Sequence, residues 1–398
     1  MPLKSEQIER VVVRGANWVG DAVMTVPALR ELRRVLPRAH ITLATRPWAE
    51  GVFAGADFID DLLLVDEGRG ARAFFRQLRA WRARRFDLAV LFPNAFAPAL
   101  TAFAARVPAR LGYATDGRAP LLTHAVRTPE WRSSRHEVFY YLNLVADLER
   151  ALAGAAAASS TATAASSTAT AASSTATAAM AAANTAAGGR EPRFDLSVSA
   201  ARSDEAAELL RARGATLTRP LVALCPGSTN SRAKRWPAER YAALADMLIE
   251  EAGADVVLVG AREELGVTRE VVALMRREPI VLTGETDLAR SVAVLGRADL
   301  LVTNDTGPAH VAAALGRPVV VIFGPTNPLT TRPFAELAEV VRRPPDCAPC
   351  MLRDCPIDHR CMTAVSPAEV FARSLALLER AGAGVGPLPI AVGMEAAR

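Results

Sequence analysis

Val302-Thr-Asn-Asp-Thr-Gly-Pro-Ala-His310, entered from the apolar run Leu300–Val302 and left through Val311-Ala-Ala-Ala-Leu315, decides how this chain folds. An apolar run, a tight polar turn and an alanine-rich helix start form the repeating unit of a parallel α/β sheet. Thr306 stands where a helix cap is expected, and Pro308 suits the first turn. The N–H groups that a helix start leaves unpaired favour an anion such as a diphosphate. Asp305 and His310 flank that position. Asp-x-Gly turns also serve capping alone, but capping does not call for a carboxylate, a hydroxyl, a glycine and an imidazole within six residues.

Outward from this turn the same unit recurs. Val11–Val13, Ile41–Ala44, Leu62–Val65 and Leu88–Leu91 read as buried parallel strands, separated by helical patterns at Val23–Leu36 and Ala71–Arg85. A second series follows at Leu221–Leu224, Val256–Val259, Ile280–Leu282, Leu300–Val302 and Val319–Phe323. Its helices are marked by Pro237 with Glu239, by Glu263–Arg277 and by Asp287–Arg297. Between the two series Ser-Ser-Thr-Ala-Thr-Ala-Ala occurs three times in tandem from Ser159 to Ala179. Such a stretch has no large apolar groups to offset its ordering entropy, so it reads as a flexible insertion, with transient helix open to it through alanine.

The fold class expected is α/β, with two Rossmann-like doubly wound domains. The divisions are an N-terminal domain over 1–150, the insertion over 151–189, a second domain over 190–365, an amphipathic helix over 366–383 and a loose tail over 384–398. At 398 residues the chain exceeds the roughly 250–300 residues at which single cores stop growing, which agrees with two. No apolar run reaches membrane-span length, and Lys4, Glu6 and Glu9 precede the first valine run, unlike a signal peptide. The expectation is a soluble, cytoplasmic protein. A net charge of +5 is modest for this length, and no nucleic-acid partner is expected.

The basic residues are biased in kind. Of 47 lysines and arginines only Lys4 and Lys234 are lysine. Where composition drives basic positions to arginine, an internal lysine points to a need for a compact ammonium.

Three loops leave strands at the edge where such sheets bind ligands. Arg14-Gly-Ala-Asn-Trp-Val-Gly-Asp21 offers Gly15 and Gly20 for close backbone approach. Asp21 in the next helical turn reads either as a dipole partner or as a general base. It is not a Walker loop, because Gly-Lys-Ser/Thr is absent. Cys225-Pro-Gly-Ser-Thr-Asn-Ser-Arg-Ala-Lys-Arg-Trp-Pro237 presents Gly227, Ser228 and Thr229 as a phosphate cradle, with Lys234 as its cation. The third loop is the opening motif, followed one strand later by Phe323-Gly-Pro-Thr-Asn-Pro328. Together these suit a nucleoside diphosphate leaving group.

Asn17-Trp-Val-Gly-Asp21, Phe92-Pro-Asn94, Pro226-Gly with Ala233-Lys-Arg-Trp-Pro237, Thr283-Gly-Glu285, Thr303-Asn-Asp-Thr-Gly307 with His310–Leu315, and Phe323-Gly-Pro325 resemble the lipopolysaccharide ADP-heptose heptosyltransferases, glycosyltransferase family 9. Within that family they are most similar to the heptosyltransferase II branch, and the likeness spans all but the insertion and the tail. It implies an inverting transferase of glycosyltransferase-B architecture that moves heptose from ADP-heptose to the first heptose of the lipopolysaccharide inner core. By the same resemblance Asp21 matches the base and Lys234 the lysine near the donor phosphates. Substrate contacts are implied for Gly20, Asn94, Gly227, Ser228, Thr229, Asp305, Thr306, Gly307 and His310, with Glu263 or Glu264 toward the nucleoside. The partners implied are the ADP-sugar and the inner-core glycolipid.

Several alternatives stay open at this stage. Departure of ADP can be stabilised by an ammonium and a helix terminus, so no metal cofactor is required for the chemistry; magnesium is compatible but not implied. Cys347, Cys350, Cys355 and Cys361, spaced C-x2-C-x4-C-x5-C near His359, allow a structural zinc clip, buried thiols or a redox-labile loop. Phe74, Leu78 and Trp81 share one face of an arginine-rich helix. That face suits either peripheral contact with the inner membrane or packing on the sheet. Heptosyltransferase I and other nucleotide-sugar transferases are near competitors. A nucleotide-binding sensor would not need the base, and an NAD-dependent oxidoreductase would need a Gly-x-Gly-x-x-Gly turn that neither N-terminal strand loop shows.

Overall fold

A computed structural model describes residues 5–53, 55–65, 70–161 and 192–382. The chain divides into two compact units, Met1–Asp195 and Leu196–Arg398. The tandem repeats beyond Thr161 and the tail read over 384–398 lie outside the described residues.

The first unit carries β1 (Arg10–Arg14), β2 (His40–Thr45), β3 (Asp61–Leu64), β4 (Leu88–Leu91), β5 (Ala109–Tyr113) and β6 (His124–Val126). They form one sheet in the order β3-β2-β1-β4-β5-β6, with every neighbouring pair parallel. Burial follows this order: β4 is buried at every position, whereas edge strand β3 has no fully buried residue. A strand covered on both faces must be apolar throughout, which is why the central strands are the legible ones. Strands β5 and β6 carry Arg110, Gly112 and His124 and lie outside the four strands expected.

Its longer helices are α1 (Val19–Met24), α2 (Val26–Val35), α3 (Ala71–Arg84), α4 (Phe96–Ala104) and α5 (Glu137–Thr161). The single helix expected over Val23–Leu36 is broken at Thr25, whose hydroxyl donates to the Ala22 carbonyl at 2.6 Å. Pro27 has no N–H to continue the ladder, so the helix restarts there. Helix α5 runs through Ala151 to Thr161, as the helix propensity of its alanines favours. On α3, Leu78 and Trp81 are 6% and 1% exposed and join Val12, Ala89 and Leu91 in the core, with Phe74 packed against them. That apolar face therefore covers the sheet and is not available to a membrane.

The second unit repeats the plan with β7 (Leu221–Cys225), β8 (Asp255–Leu258), β9 (Ile280–Val281), β10 (Leu300–Asn304), β11 (Val319–Phe323) and β12 (Ala338–Arg342). The order is β12-β11-β10-β7-β8-β9, again parallel throughout. Its longer helices are α6 (Ala200–Ala212), α7 (Ala238–Glu250), α8 (Leu265–Leu274), α9 (Leu288–Arg297), α10 (Gly307–Ala314) and α11 (Pro367–Arg380). Strands β7, β10 and β11 are buried at every residue. Val370, Phe371, Leu377 and Leu378 of α11 belong to the same core as Val222, Leu300 and Val320, so the last helix is part of this unit's packing.

In each sheet the chain reverses its direction of winding between the first strand and the fourth. The switch points lie between β1 and β4 and between β7 and β10. Crossover helices diverge to opposite faces there and leave a crevice at the strand carboxyl ends.

Candidate functional site

The loops at the second switch point follow β7 and β10. Asn304, the last residue of β10, is fully buried. Its amide donates to the carbonyls of Pro226 at 2.9 Å and Gly227 at 3.1 Å. Its oxygen accepts the Trp236 N–H at 2.9 Å and the Tyr241 hydroxyl at 3.1 Å. One side chain thus ties the cradle loop to the segment just beyond Lys234. Trp236 and Tyr241 are buried edge to face with ring centres 5.0 Å apart.

Lys234 comes to rest on the neighbouring loop. Its ammonium donates to the Asp305 carboxylate at 2.8 Å and to the Asp305 carbonyl at 3.0 Å. The same carboxylate oxygen accepts the Thr326 hydroxyl at 2.7 Å. The Asp305 side chain is 5% exposed and that of Lys234 26%. An ammonium has three N–H donors, and Asp305 occupies two, which leaves one for a ligand.

Helix α10 starts beside this pair. Thr306 holds its cap position, but the hydroxyl turns back to Thr303 Oγ1 at 3.1 Å and the Asn304 carbonyl at 3.3 Å and does not cap the helix. The capping expected of Thr306 is thus corrected, and the first-turn N–H groups, with Gly307 leading and Pro308 following, receive no side-chain cap. His310 is 5% exposed on the same helix.

Gly227 is required by close approach. A Cβ there would stand 2.2 Å from Glu264 Cδ. Glu264 is 8% exposed, accepts the Ala261 N–H at 2.9 Å and the Thr229 hydroxyl at 3.2 Å, and so braces the cradle from behind. The structure brings Glu264 to the loop, whereas Glu263 is exposed, because neighbouring positions on one turn face different ways. Ser228 is buried, and its carbonyl accepts from Arg235 at 3.1 Å.

The cysteine-rich segment buttresses this loop. His359 Nε2 lies 2.6 Å from the Ala233 carbonyl, and the Arg353 carbonyl accepts from Ala233 N–H at 2.9 Å and from the Ser231 hydroxyl at 3.1 Å. Cys347 is exposed, Cys350 and Cys355 are half-buried and Cys361 is buried, all as thiols. Burial pushes the Cys361 thiol up, and the nearby Cys355, Cys350 and Cys347 add to the effect. Among the described residues no group of three or more His, Cys, Asp or Glu side chains is arranged to hold a metal ion.

At the first switch point Asp21 occupies the third position of α1, whose cap position holds Trp18. Behind it Arg14 is 5% exposed and donates to Asn17 Oδ1 at 2.7 Å. Burial, with Arg46 nearby, lowers the Arg14 guanidinium to about 10. Asp21 faces the start of α5. Burial raises the Glu137 carboxyl; Arg132, which donates to it at 2.8 Å, pulls it back, and the charge of Asp21 adds to the rise. Burial likewise holds the Tyr141 phenol well above its usual range, with Asp21 and Glu137 contributing.

Asn94 follows β4 on the adjacent loop. Its side-chain oxygen accepts the Tyr140 hydroxyl at 3.2 Å, and its carbonyl accepts the Thr115 hydroxyl at 3.1 Å. Arg118, fully buried, binds the Tyr113 carbonyl at 2.8 Å, the Ala95 carbonyl at 3.3 Å and the Pro93 carbonyl. Thus Asp21 and Gly20 sit at one switch point with Asn94. Gly227, Ser228, Thr229, Lys234, Asp305, Thr306, Gly307 and His310 sit at the other. Asn304, Thr326 and Arg118 were not assigned from the sequence; a polar residue at a strand's end is the signal that Asn304 offered.

Each doubly wound unit thus carries polar groups at its switch point, a lysine and an uncapped helix start in one and a carboxylate in the other. The chain belongs to glycosyltransferase family 9 (heptosyltransferase), whose family model matches residues 71–360. It is 29% identical over 292 residues to lipopolysaccharide heptosyltransferase 2 of Salmonella typhimurium, covering 71% of this chain and 73% of that protein. Among solved structures it resembles ADP-heptose lipopolysaccharide heptosyltransferase II of E. coli, with a TM-score of 0.72, 25% identity and coverage of 94% of this chain and 100% of that one. A family 9 glycosyltransferase from Veillonella parvula shares the fold with a TM-score of 0.75 at 23% identity, covering 95% of this chain and 99% of its own. Among the described residues no helix is long and apolar enough to cross a membrane.

Proposed function

We propose that this protein is a heptosyltransferase II: it transfers heptose from ADP-heptose to the first heptose of the lipopolysaccharide inner core, with inversion at the anomeric carbon. The observation that carries this reading is the Lys234–Asp305–Thr326 cluster beside the uncapped start of α10, in a chain of family 9. The domain over 190–365 binds the ADP-sugar, and the domain over 1–150 binds the acceptor.

In the reaction Asp21 takes the proton of the acceptor hydroxyl as its oxygen attacks the anomeric carbon. The bond from that carbon to the β-phosphate oxygen breaks, and ADP departs with the electron pair. Charge grows on the β-phosphate in that step, and preorganised donors there act without reorganising. The remaining Lys234 N–H and the Gly307 N–H that opens α10 are such donors. Glu264 holds the cradle in place through Thr229. A single displacement inverts the anomeric centre. The acceptor is a glycolipid, so the enzyme works in the cytoplasm against the membrane that carries it.

Incubating the protein with ADP-heptose and lipopolysaccharide acceptors truncated after zero, one or two heptoses, then weighing the products, tests this. The expected result is one added heptose on the acceptor that already carries one. Addition to the heptose-free acceptor alone would make it a heptosyltransferase I, and no addition to any would end the reading.

A further inference from the structure

Trp18 is an unusual residue for its place. Helix α1 begins at Val19, and the cap position before it is held by Trp18 with extended backbone (φ −122°, ψ 148°) and no side-chain cap. Ser, Thr, Asp or Asn is favoured there, so the indole does not serve the helix. Nor does it serve the core: Trp18 is 55% exposed, whereas Trp81 and Trp236 are 1% and 0% exposed and Trp48 and Trp131 are half-buried. Cap and third positions are the pair that a capping box joins, each side chain reaching the other residue's backbone N–H. Trp18 therefore shares the face of the first turn that carries Asp21.

A second aromatic stands on the neighbouring loop. Strands β1 and β4 are paired, and the Phe92 N–H donates to the Arg14 carbonyl at 3.3 Å, so the loops that follow them leave the sheet side by side. Phe96, 45% exposed, opens α4 two residues beyond Asn94. Half-buried Arg46 and exposed Arg127 follow β2 and β6 at the same edge. Exposed rings beside a carboxylate, rimmed by guanidinium groups, suit a carbohydrate with anionic substituents. The C–H faces of a pyranose lie against aromatic rings, the anions meet arginine and a hydroxyl is presented to Asp21.

We infer that Trp18, supported by Phe96, is the stacking platform for the pyranose ring of the acceptor and a determinant of acceptor specificity. The inference rests on the heptosyltransferase reading and extends it to residues on the acceptor side. Trp18 touches the sugar that receives the heptose and takes no part in the proton transfer.

The test is steady-state kinetics of wild type, Trp18→Ala, Trp18→Phe and Phe96→Ala, with ADP-heptose and a heptose-terminated acceptor each varied in turn. Trp18→Ala is expected to raise the acceptor KM about tenfold, equivalent to about 1.4 kcal/mol, and to leave the ADP-heptose KM unchanged. Trp18→Phe restores most of the loss, and Phe96→Ala shows a smaller rise. An unchanged acceptor KM in Trp18→Ala, an equal rise in both KM values, or a fall in kcat alone would overturn the assignment. So would a Trp18→Phe variant as impaired as Trp18→Ala. Failure of wild type to transfer heptose would instead overturn the functional reading, and this inference with it.

Discussion

Replacing Asn304 by aspartate changes one amide into a carboxylate of nearly the same shape, at a fully buried position. The acceptor role toward Trp236 N–H and the Tyr241 hydroxyl survives, at 2.9 and 3.1 Å. The donor role toward the Pro226 and Gly227 carbonyls, at 2.9 and 3.1 Å, does not. Each carbonyl left buried without a donor costs about 1–3 kcal/mol, so the pair costs about 2–6 kcal/mol. For a unit of this size about 4 kcal/mol lowers the melting midpoint by roughly 8–16 °C. Asn327→Ala supplies the contrast. Asn327 caps a short turn at an exposed site by accepting from Leu329 N–H at 3.1 Å, and losing that cap costs about 1 kcal/mol. Thermal and urea melts, with ADP-heptose KM measured on the same preparations, check both. Asn304→Asp should lose stability several times more than Asn327→Ala and bind the donor more weakly, because its carbonyl partners belong to the cradle. Melting within about 2 °C of wild type, or lost stability with an unchanged donor KM, would refute the claim that Asn304 holds the phosphate loop.

Gly227→Ala should abolish measurable donor binding, because the added carbon meets Glu264 Cδ at 2.2 Å; Gly227→Ala combined with Glu264→Ala should recover part of it, and a strictly additive double variant in calorimetry would disprove the steric cause. Asp21→Ala should keep ADP-heptose binding and lose turnover by about 10²–10⁴-fold; equal turnover in a product assay would remove Asp21 from the chemistry. The Glu137 carboxyl, raised by burial above its ordinary 4.5, favours folding below that value, and this contribution is lost as pH rises through its higher folded-state pKa. Stability of Glu137→Gln relative to wild type should therefore increase from about pH 4.5 upward, and a pH-independent difference in denaturant melts would contradict it.

Much of this protein was legible along the chain. Val11–Val13, Leu88–Leu91, Leu300–Val302 and Val319–Phe323 are buried on both faces, so uninterrupted apolar runs announced them. The ligand-facing loops followed at once, since a parallel sheet exposes its functional edge where each strand ends. The resemblance to family 9 rested on those loops and is shown by the family match over residues 71–360. Strands β5, β6 and β12 were not legible, because Arg110, Gly112, His124 and Glu339 interrupt the apolar pattern of short strands near the sheet margins.

The sequence by itself determined the alternation of strand and helix, the doubling of the unit and the residue types at each loop, because these depend on neighbours within a few positions. Only the tertiary structure decided how those residues engage. Lys234 meets Asp305 across 71 residues, Asn304 meets Trp236 across 68, and Glu264, not Glu263, reaches Thr229. Thr306 spends its hydroxyl on Thr303 and Asn304 in place of capping. Such partners are set by strand order and parallel register, which bring distant loops side by side, and local periodicity carries no record of that order.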